Sequence, residues 1–205
     1  KNDYAAQGQS ILMETYRRFI SPKYSVRQVL VEHQHFNNEK KRTQILHLLQ
    51  RAAAQNAIPI INYNDAVSTK ENLNYELKNL RKNNDHVVEC VDNDETASVV
   101  ACLVKARTLL ILTSAYGIYK DPADPSSLIN EITGSTIDEV LQNIEFTKSF
   151  CIGASRIGAN GAKAKLSYIE EPVKQGTQVI IGSAEYKISD LLNGTVPRTW
   201  IGVSK

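Results

Sequence analysis

Long apolar runs are missing from this sequence. None approaches the roughly 20 residues that span a bilayer, so no membrane segment is expected. The amino-terminal residues are polar and lack an apolar core of leader type, which reads against a secretory signal. No excess of one charge is present either. The formal net charge is +2 over 205 residues, which gives no reason to expect nucleic acid or an anionic membrane as a partner. Cysteine is scarce: Cys90, Cys102 and Cys151 are odd in number and have no metal-ligand spacing. They read as buried thiols of a reducing, cytoplasmic compartment rather than as a disulfide framework. His33, His35, His47 and His86 form no recognisable ligand set, so no metal site is expected. There is no internal repeat and no low-complexity tract. What remains is 42% hydrophobic and 22% charged, the balance of an ordinary globular chain long enough for one sizeable core.

Periodicity supplies the elements. Residues 4–19 read as a helix with Ile11, Leu12, Tyr16 and Phe19 on its inward face, ended by Pro22. Residues 26–31 alternate as a strand, and His33 and His35 beyond it read as exposed on a strand face. Asn37 or Asn38 caps a helix running to about residue 57, with Ile45, Leu48 and Leu49 inward. A short apolar strand follows at 58–61. Residues 68–84 are charged, with Leu73, Leu77 and Leu80 at helical spacing, and read as an exposed helix or excursion. Residues 86–90 read as a strand leading to the loop Asp92-Asn93-Asp94, and 95–106 as a helix. Residues 108–112 read as a strand covered on both faces. A turn-rich loop at 121–125, a helix at 137–144, a helix at 162–175 interrupted or bent near Pro172, a strand at 177–182, a helix at 186–193 and a strand at 199–203 complete the chain. Trp200 reads as core. Strands alternating with helices predict an α/β fold, a three-layer α/β/α sandwich on a mainly parallel central sheet, in a single domain.

Four polar clusters stand at element ends, where open α/β sheets bind ligands. Residues 153–165 form a Gly-rich loop entering a helix, which favours phosphate through free N–H groups and the helix dipole, with Lys163 and Lys165 adding charge. The Gly-Lys-Ser/Thr ending of a Walker loop is absent. An exposed loop before a helix explains the composition equally well. Asp92, Asn93 and Asp94 suit an amino group or a hydrated metal, and Asp94 equally suits a helix cap. Asn62, Asn64 and Asp65 follow a buried strand, and they also suit a simple turn. Thr113 and Ser114 end another strand, as ligand contacts or as satisfied hydroxyls.

Three segments in order, IPIINYNDAVS at 58–68, DNDETASVVACLVKARTLLILTSAYGIYKDP at 92–122 and IGANGAKAKL at 157–166, resemble the amino acid kinase family, and within it the glutamate 5-kinases. The resemblance covers nearly the whole chain. It implies ATP-dependent phosphorylation of the γ-carboxylate of L-glutamate, the opening step of proline biosynthesis, with ATP and Mg²⁺, in a cytoplasmic homo-oligomer. By the same resemblance Lys165 stabilises the transferring phosphoryl group and Asp94 organises the catalytic lysines. Asp65, Asn93 and Asn64 match substrate-binding positions. Thr113, Ser114, Ala159, Asn160, Gly161, Ala162, Lys163, Ala164 and Lys165 match nucleotide-binding ones. A carboxylate acceptor is already ionised, so no general base is needed, and phosphoryl transfer rests on alignment and charge neutralisation.

The chain departs from the family pattern at several points. Ser114 stands for the usual Asp, Ala159-Asn160 for Thr-Gly and Ala162 for Met, and the segment between Asp65 and Asp92 is long. The pattern's first strand with its Lys-x-Gly-Ser loop, and its Ser-Ser-Gly loop, are expected ahead of Lys1. Two other readings remain: a member of the family with another carboxylate or a phosphate as acceptor, and a non-catalytic binding protein of the same fold.

Overall fold

The structure, a computed structural model, describes residues 2–67, 70–82, 87–90, 92–151 and 161–204. The chain divides into two compact units, Lys1–Asn93 and Asp94–Lys205. Among the described residues no helix is long and apolar enough to cross a membrane.

In the first unit, helix α1 (Asn2–Phe19) precedes strand β1 (Ser25–Val31), helices α2 (His33–Asn37) and α3 (Glu39–Ala54), strand β2 (Ala57–Tyr63) and helix α4 (Lys70–Arg81). β1 and β2 pair in parallel, from Ser25 opposite Ala57 to Val31 opposite Tyr63. Parallel strands require a crossover connection, and α2 with α3 provides it. The side chain of Asn38 caps α3 by accepting from Lys41 N at 3.0 Å. Ile45, Leu49 and Ala52 form its buried stripe, while Leu48 is only half-buried. α3 ends at Ala54 because Ala57 already belongs to β2.

Several expectations fail here for local reasons. α1 is turned so that Met13 is its buried residue, leaving Ile11 66% and Phe19 80% exposed. Toward β1, Gln28 Nε2 donates to Gln9 Oε1 at 3.0 Å. The strand reading beyond β1 is wrong: His33 and His35 lie on α2, and His33 is buried. A hydrogen bond from Glu32 N to His35 Nδ1, 2.8 Å long, stops the strand and starts the helix. Residues 87–90 are not a strand, and Cys90 takes a positive φ of 53°. They are held by one side chain instead. Asn37 donates to Val88 O at 2.7 Å and accepts from Val88 N at 2.9 Å, standing in for a strand partner. His86 lies outside the described residues. The helix expected at 68–84 is α4, with Leu77 buried.

The second unit runs α5 (Asn93–Val104, beginning at the boundary), β3 (Thr108–Thr113), β4 (Ile118–Tyr119), a 3-10 turn (Pro125–Ser127), β5 (Leu128–Ile129), β6 (Glu131–Gly134), α6 (Ile137–Phe150), α7 (Ala162–Tyr168), α8 (Glu170–Lys174), β7 (Gln178–Ser183), α9 (Ile188–Asn193) and β8 (Arg198–Val203). Its sheet has the order β3-β7-β8-β6. β3–β7 and β6–β8 are parallel and β7–β8 antiparallel, so the fold is mixed α/β on a mostly parallel sheet, as predicted. α6 and α8 pack on one face of the sheet. The core there joins Ile132, Val140, Ile144, Leu166, Ile169, Val179, Ile181 and Ile201. α9 covers the other face at Gly182, where an added methyl group would overlap Leu191 Cδ2. Gly194, at φ 72°, ends α9 in the left-handed conformation. Arg198 then reaches back to donate to the carbonyls of Leu191 and Leu192.

Three readings change in this unit. β3 is not covered on both faces, since Leu112 is 46% exposed. Asn93 and Asp94 are the first turn of α5 rather than loop. The interruption expected near Pro172 is present: residues 162–175 form two helices, broken at Ile169, and Pro172 sits in the first turn of α8, where its missing N–H is harmless. Trp200 is half-buried rather than core. The two-residue ladder β4–β5 and the short β6 carry too few residues for a periodicity to show.

Candidate active site

In the first unit the carboxyl ends of β1 and β2 carry adjacent polar groups. Asn64 N donates to Val31 O at 2.9 Å, which brings the residues after the two strands together. Asn64 Nδ2 then donates to Glu32 Oε1 at 2.9 Å. Burial alone would raise the Glu32 carboxyl. Hydrogen bonds from Gln34 and Asn64 and the charges of His35 and His33 outweigh it and hold Glu32 below the ordinary carboxylate range. Glu32 is therefore an ionised acceptor at the strand ends. His33 lies beneath, with Nδ1 3.4 Å from Tyr63 Oη. Its Nε2 stands 2.9 Å from Glu76 Oε2 on α4, close but not aligned as a hydrogen bond. Asp65 is exposed in the turn that follows.

In the second unit β3 and β7 end level, Thr113 opposite Ser183. Ala184 N donates to Thr113 O at 2.9 Å, so the two loops leave the sheet together. Each strand-end hydroxyl accepts from its own loop: Thr113 Oγ1 from Ala115 N at 3.4 Å, and Ser183 Oγ from Glu185 N at 3.2 Å. Ser114 is exposed. On these loops the rings of Tyr116 and Tyr186 stack, with centroids 5.6 Å apart and planes 30° from parallel. A cleft of about 500 Å³ lined by Arg107, Thr108, Gln178 and Trp200 opens at the amino ends of β3 and β7, the end opposite the strand termini where ligands bind.

Lys165 and Asp94 meet in this unit. Lys165 Nζ donates to Asp94 Oδ2, with the two side chains 23% and 17% exposed. A charge-assisted hydrogen bond of this kind fixes the ammonium in direction. Asp94 projects from the first turn of α5, and Lys165 from the fourth position of α7. Gly161 is the N-cap of α7, and its carbonyl accepts from Ala164 N at 3.0 Å and Lys165 N at 3.3 Å. Ala162 and Lys163 thus occupy the turn whose N–H groups have no intrahelical partner. Lys163 is exposed. Its charge lowers the Cys151 thiol, but the larger effect of burial leaves that thiol raised. Ala159 and Asn160 lie outside the described residues.

Asp94 and Lys165 are thus brought together, as are Thr113 and Ser114 with the end of β7, while Asn64 and Asp65 belong to the first unit. Glu32, Ser183, Tyr116 and Tyr186 escape the sequence reading. Ser183 carries a findable signal, since Gly-Ser after a buried strand repeats the pattern of Thr113-Ser114. A lysine held on a carboxylate beside a helix N-terminus fits a polyphosphate, because it supplies a fixed cation. Among the described residues no three His, Cys, Asp or Glu side chains gather to cage a metal.

The pattern of the amino acid kinase family matches residues 2–183. The glutamate 5-kinase of Halalkalibacterium halodurans is 29% identical over 210 residues, covering 98% of this chain and 50% of its own length. That of Clostridium perfringens is 30% identical over 203 residues, covering 95% of this chain and 67% of its own length. That of Aliivibrio fischeri is 31% identical over 195 residues, covering 92% and 47%. The chain therefore spans between about half and two thirds of the length of these relatives. Among solved structures, carbamate kinase from Giardia lamblia bound to AMP-PNP superposes with a TM-score of 0.60 at 16% identity, over 99% of this chain and 75% of that one, a likeness of fold. With the family pattern running from α1 to the end of β7, this chain belongs to the amino acid kinase family.

Proposed function

We propose that this protein is a phosphotransferase that uses MgATP to phosphorylate the γ-carboxylate of L-glutamate, releasing ADP and L-glutamyl 5-phosphate, as in proline biosynthesis. Family membership, the names of the relatives and one observation support this: the ammonium of Lys165 is held on Asp94 in a half-buried setting. In the transfer an oxygen of the substrate carboxylate bonds to the γ-phosphorus, the bond to the β–γ bridging oxygen breaks, and ADP leaves with that electron pair. Charge grows on the equatorial and leaving oxygens, and a fixed cation stabilises it without reorganising. Lys165 is that cation, and Asp94 positions it. Thr113, Ser114, Gly161, Ala162, Lys163 and Ala164 hold the nucleotide, together with Ala159 and Asn160. Asn64, Asp65 and Asn93 hold the amino acid. The Mg²⁺ that arrives with ATP screens the phosphate charge.

The ionised Glu32 beside Asn64 supports an amino acid as acceptor rather than a simple acid, since a carboxylate there suits an α-ammonium, which a simple acid lacks. On this reading the protein is a single-domain, cytoplasmic homo-oligomer, and sedimentation velocity measures its assembly.

Hydroxylamine trapping of the acyl phosphate tests the activity. Lys165→Ala is expected to lower kcat by about 10²–10³, the loss of about 3–4 kcal/mol typical of a removed transition-state donor. Equal turnover in both proteins removes Lys165 from its role. A substrate panel with glutamate, glutarate and aspartate tests the acceptor: turnover of glutarate as fast as glutamate overturns ammonium recognition, and no turnover of any acid overturns the kinase reading.

A further inference from the structure

Tyr116 and Tyr186 take no part in the phosphoryl transfer proposed for Lys165 and Asp94. They sit on the loops that leave the carboxyl ends of two adjacent parallel strands, β3 and β7, which is where sheets of this type receive ligands. Tyr116 is 41% exposed, so its ring is not there to fill a core. Neither loop is free to drift. The Ala184 N to Thr113 O bond of 2.9 Å ties them to each other. Gly117, next to Tyr116, lies so close to β8 that an added Cβ would stand 2.5 Å from Thr199 Oγ1 and 2.9 Å from Thr199 N. The result is a stacked aromatic pair on two loops tied to each other, with Tyr116 partly open to water. A flat π system is the ligand such a surface fits, since stacking replaces water on both faces at little entropic expense.

We infer that the stacked pair Tyr116–Tyr186 is the platform for the nucleobase of the nucleoside triphosphate, with Tyr116 as the contact ring and Tyr186 positioning it. This deepens the proposed function and rests on its claim that a nucleotide binds. The phosphates are held elsewhere by charge, so the pair contributes affinity for the base alone. Every base offers a π face, so the platform does not by itself select adenine over guanine.

Calorimetric titration of MgATP and of magnesium tripolyphosphate, which has no base, separates the roles. Tyr116→Ala is expected to weaken MgATP binding by about tenfold or more, in line with the effect of removing a stacking ring, and to leave tripolyphosphate unchanged. Tyr116→Phe keeps the ring and should stay within about twofold of wild type for both ligands. Tyr186→Ala, which removes the backing ring, should weaken MgATP in the same direction. Thermal unfolding midpoints certify that each variant is folded. Wild-type affinity for MgATP in folded Tyr116→Ala overturns the platform and leaves the kinase reading intact. An equal loss for tripolyphosphate also overturns it, because the pair then merely shapes the loops. A wild-type protein that binds neither ligand overturns the kinase reading itself.

Discussion

At the scale of single residues, the site is a matter of which charges are held and by what. Lys165 is fixed by Asp94 and Glu32 by Asn64, each across a sequence distance that no periodicity reports. Glu32 makes a claim that acid can test. Its carboxyl lies below the ordinary range because partners favour its charged form. The stability it contributes is therefore present above the ordinary carboxylate value and is lost as pH falls through its lowered native value. Acid titration of the unfolding midpoint should fall more steeply for wild type than for Glu32→Gln in that acid window, and the two should run parallel above it. Parallel curves throughout would mean that Glu32 is solvated in the folded chain. Asp94 and Lys165 were readable in the sequence because each lies in a motif at a helix start. Glu32 was not, because Val-Glu-His continues a strand on paper, and only the turn made by Glu32 N and His35 Nδ1 ends it. Tyr116 and Tyr186 stack across a gap in sequence that only the parallel pairing of β3 with β7 closes.

At the scale of elements, length decides what the sequence reveals. α3, α6, β1, β3, β7 and β8 are long enough to impose their period, and their expected positions agree with the fold within a few residues, except that α6 continues to Phe150. β4, β5 and β6 have two to four residues each and leave no pattern. α1 shows a different limit. Its larger side chains suggest one inward face, but Met13 is the residue it buries, and Gln9 meets Gln28 of β1. Close approach also governs α9 on β7. Leu191 is fully buried against Gly182, where the added methyl of alanine has no room. Gly182→Ala should cost about 1–3 kcal/mol, the usual penalty of overpacking a core. Urea denaturation measures it, and an unchanged midpoint would show that α9 shifts freely on the sheet.

At the scale of the whole molecule, the parallel sheet and family membership were legible because three motifs occur in order along the chain. The division into two compact units was not, since each unit has its own alternation of strand and helix and no linker of distinct composition separates them. Ligand binding acts on the stability of the chain through linkage. MgATP at a hundred times its Kd should stabilise the native state by about 2.7 kcal/mol. For a chain of this size that corresponds to a Tm increase of about 5–10 °C. Differential scanning calorimetry at rising MgATP should show the increase growing with concentration, and a constant Tm would deny nucleotide binding.

A single proton sets the polarity with which the β4–β5 ribbon is hung. The hydroxyl of Thr199, fully enclosed, gives its one hydrogen to the carbonyl of Ile129 at 2.6 Å, so only lone pairs remain to receive the amide of Ile118 at 2.8 Å. Valine shares that outline but has neither port, and its presence would cut both wires at once. The strand before this ribbon ends at Thr113, and Tyr116 lies on the lead between them. The lead that carries Tyr116 is thus moored, two residues on at Ile118, to one side chain of β8.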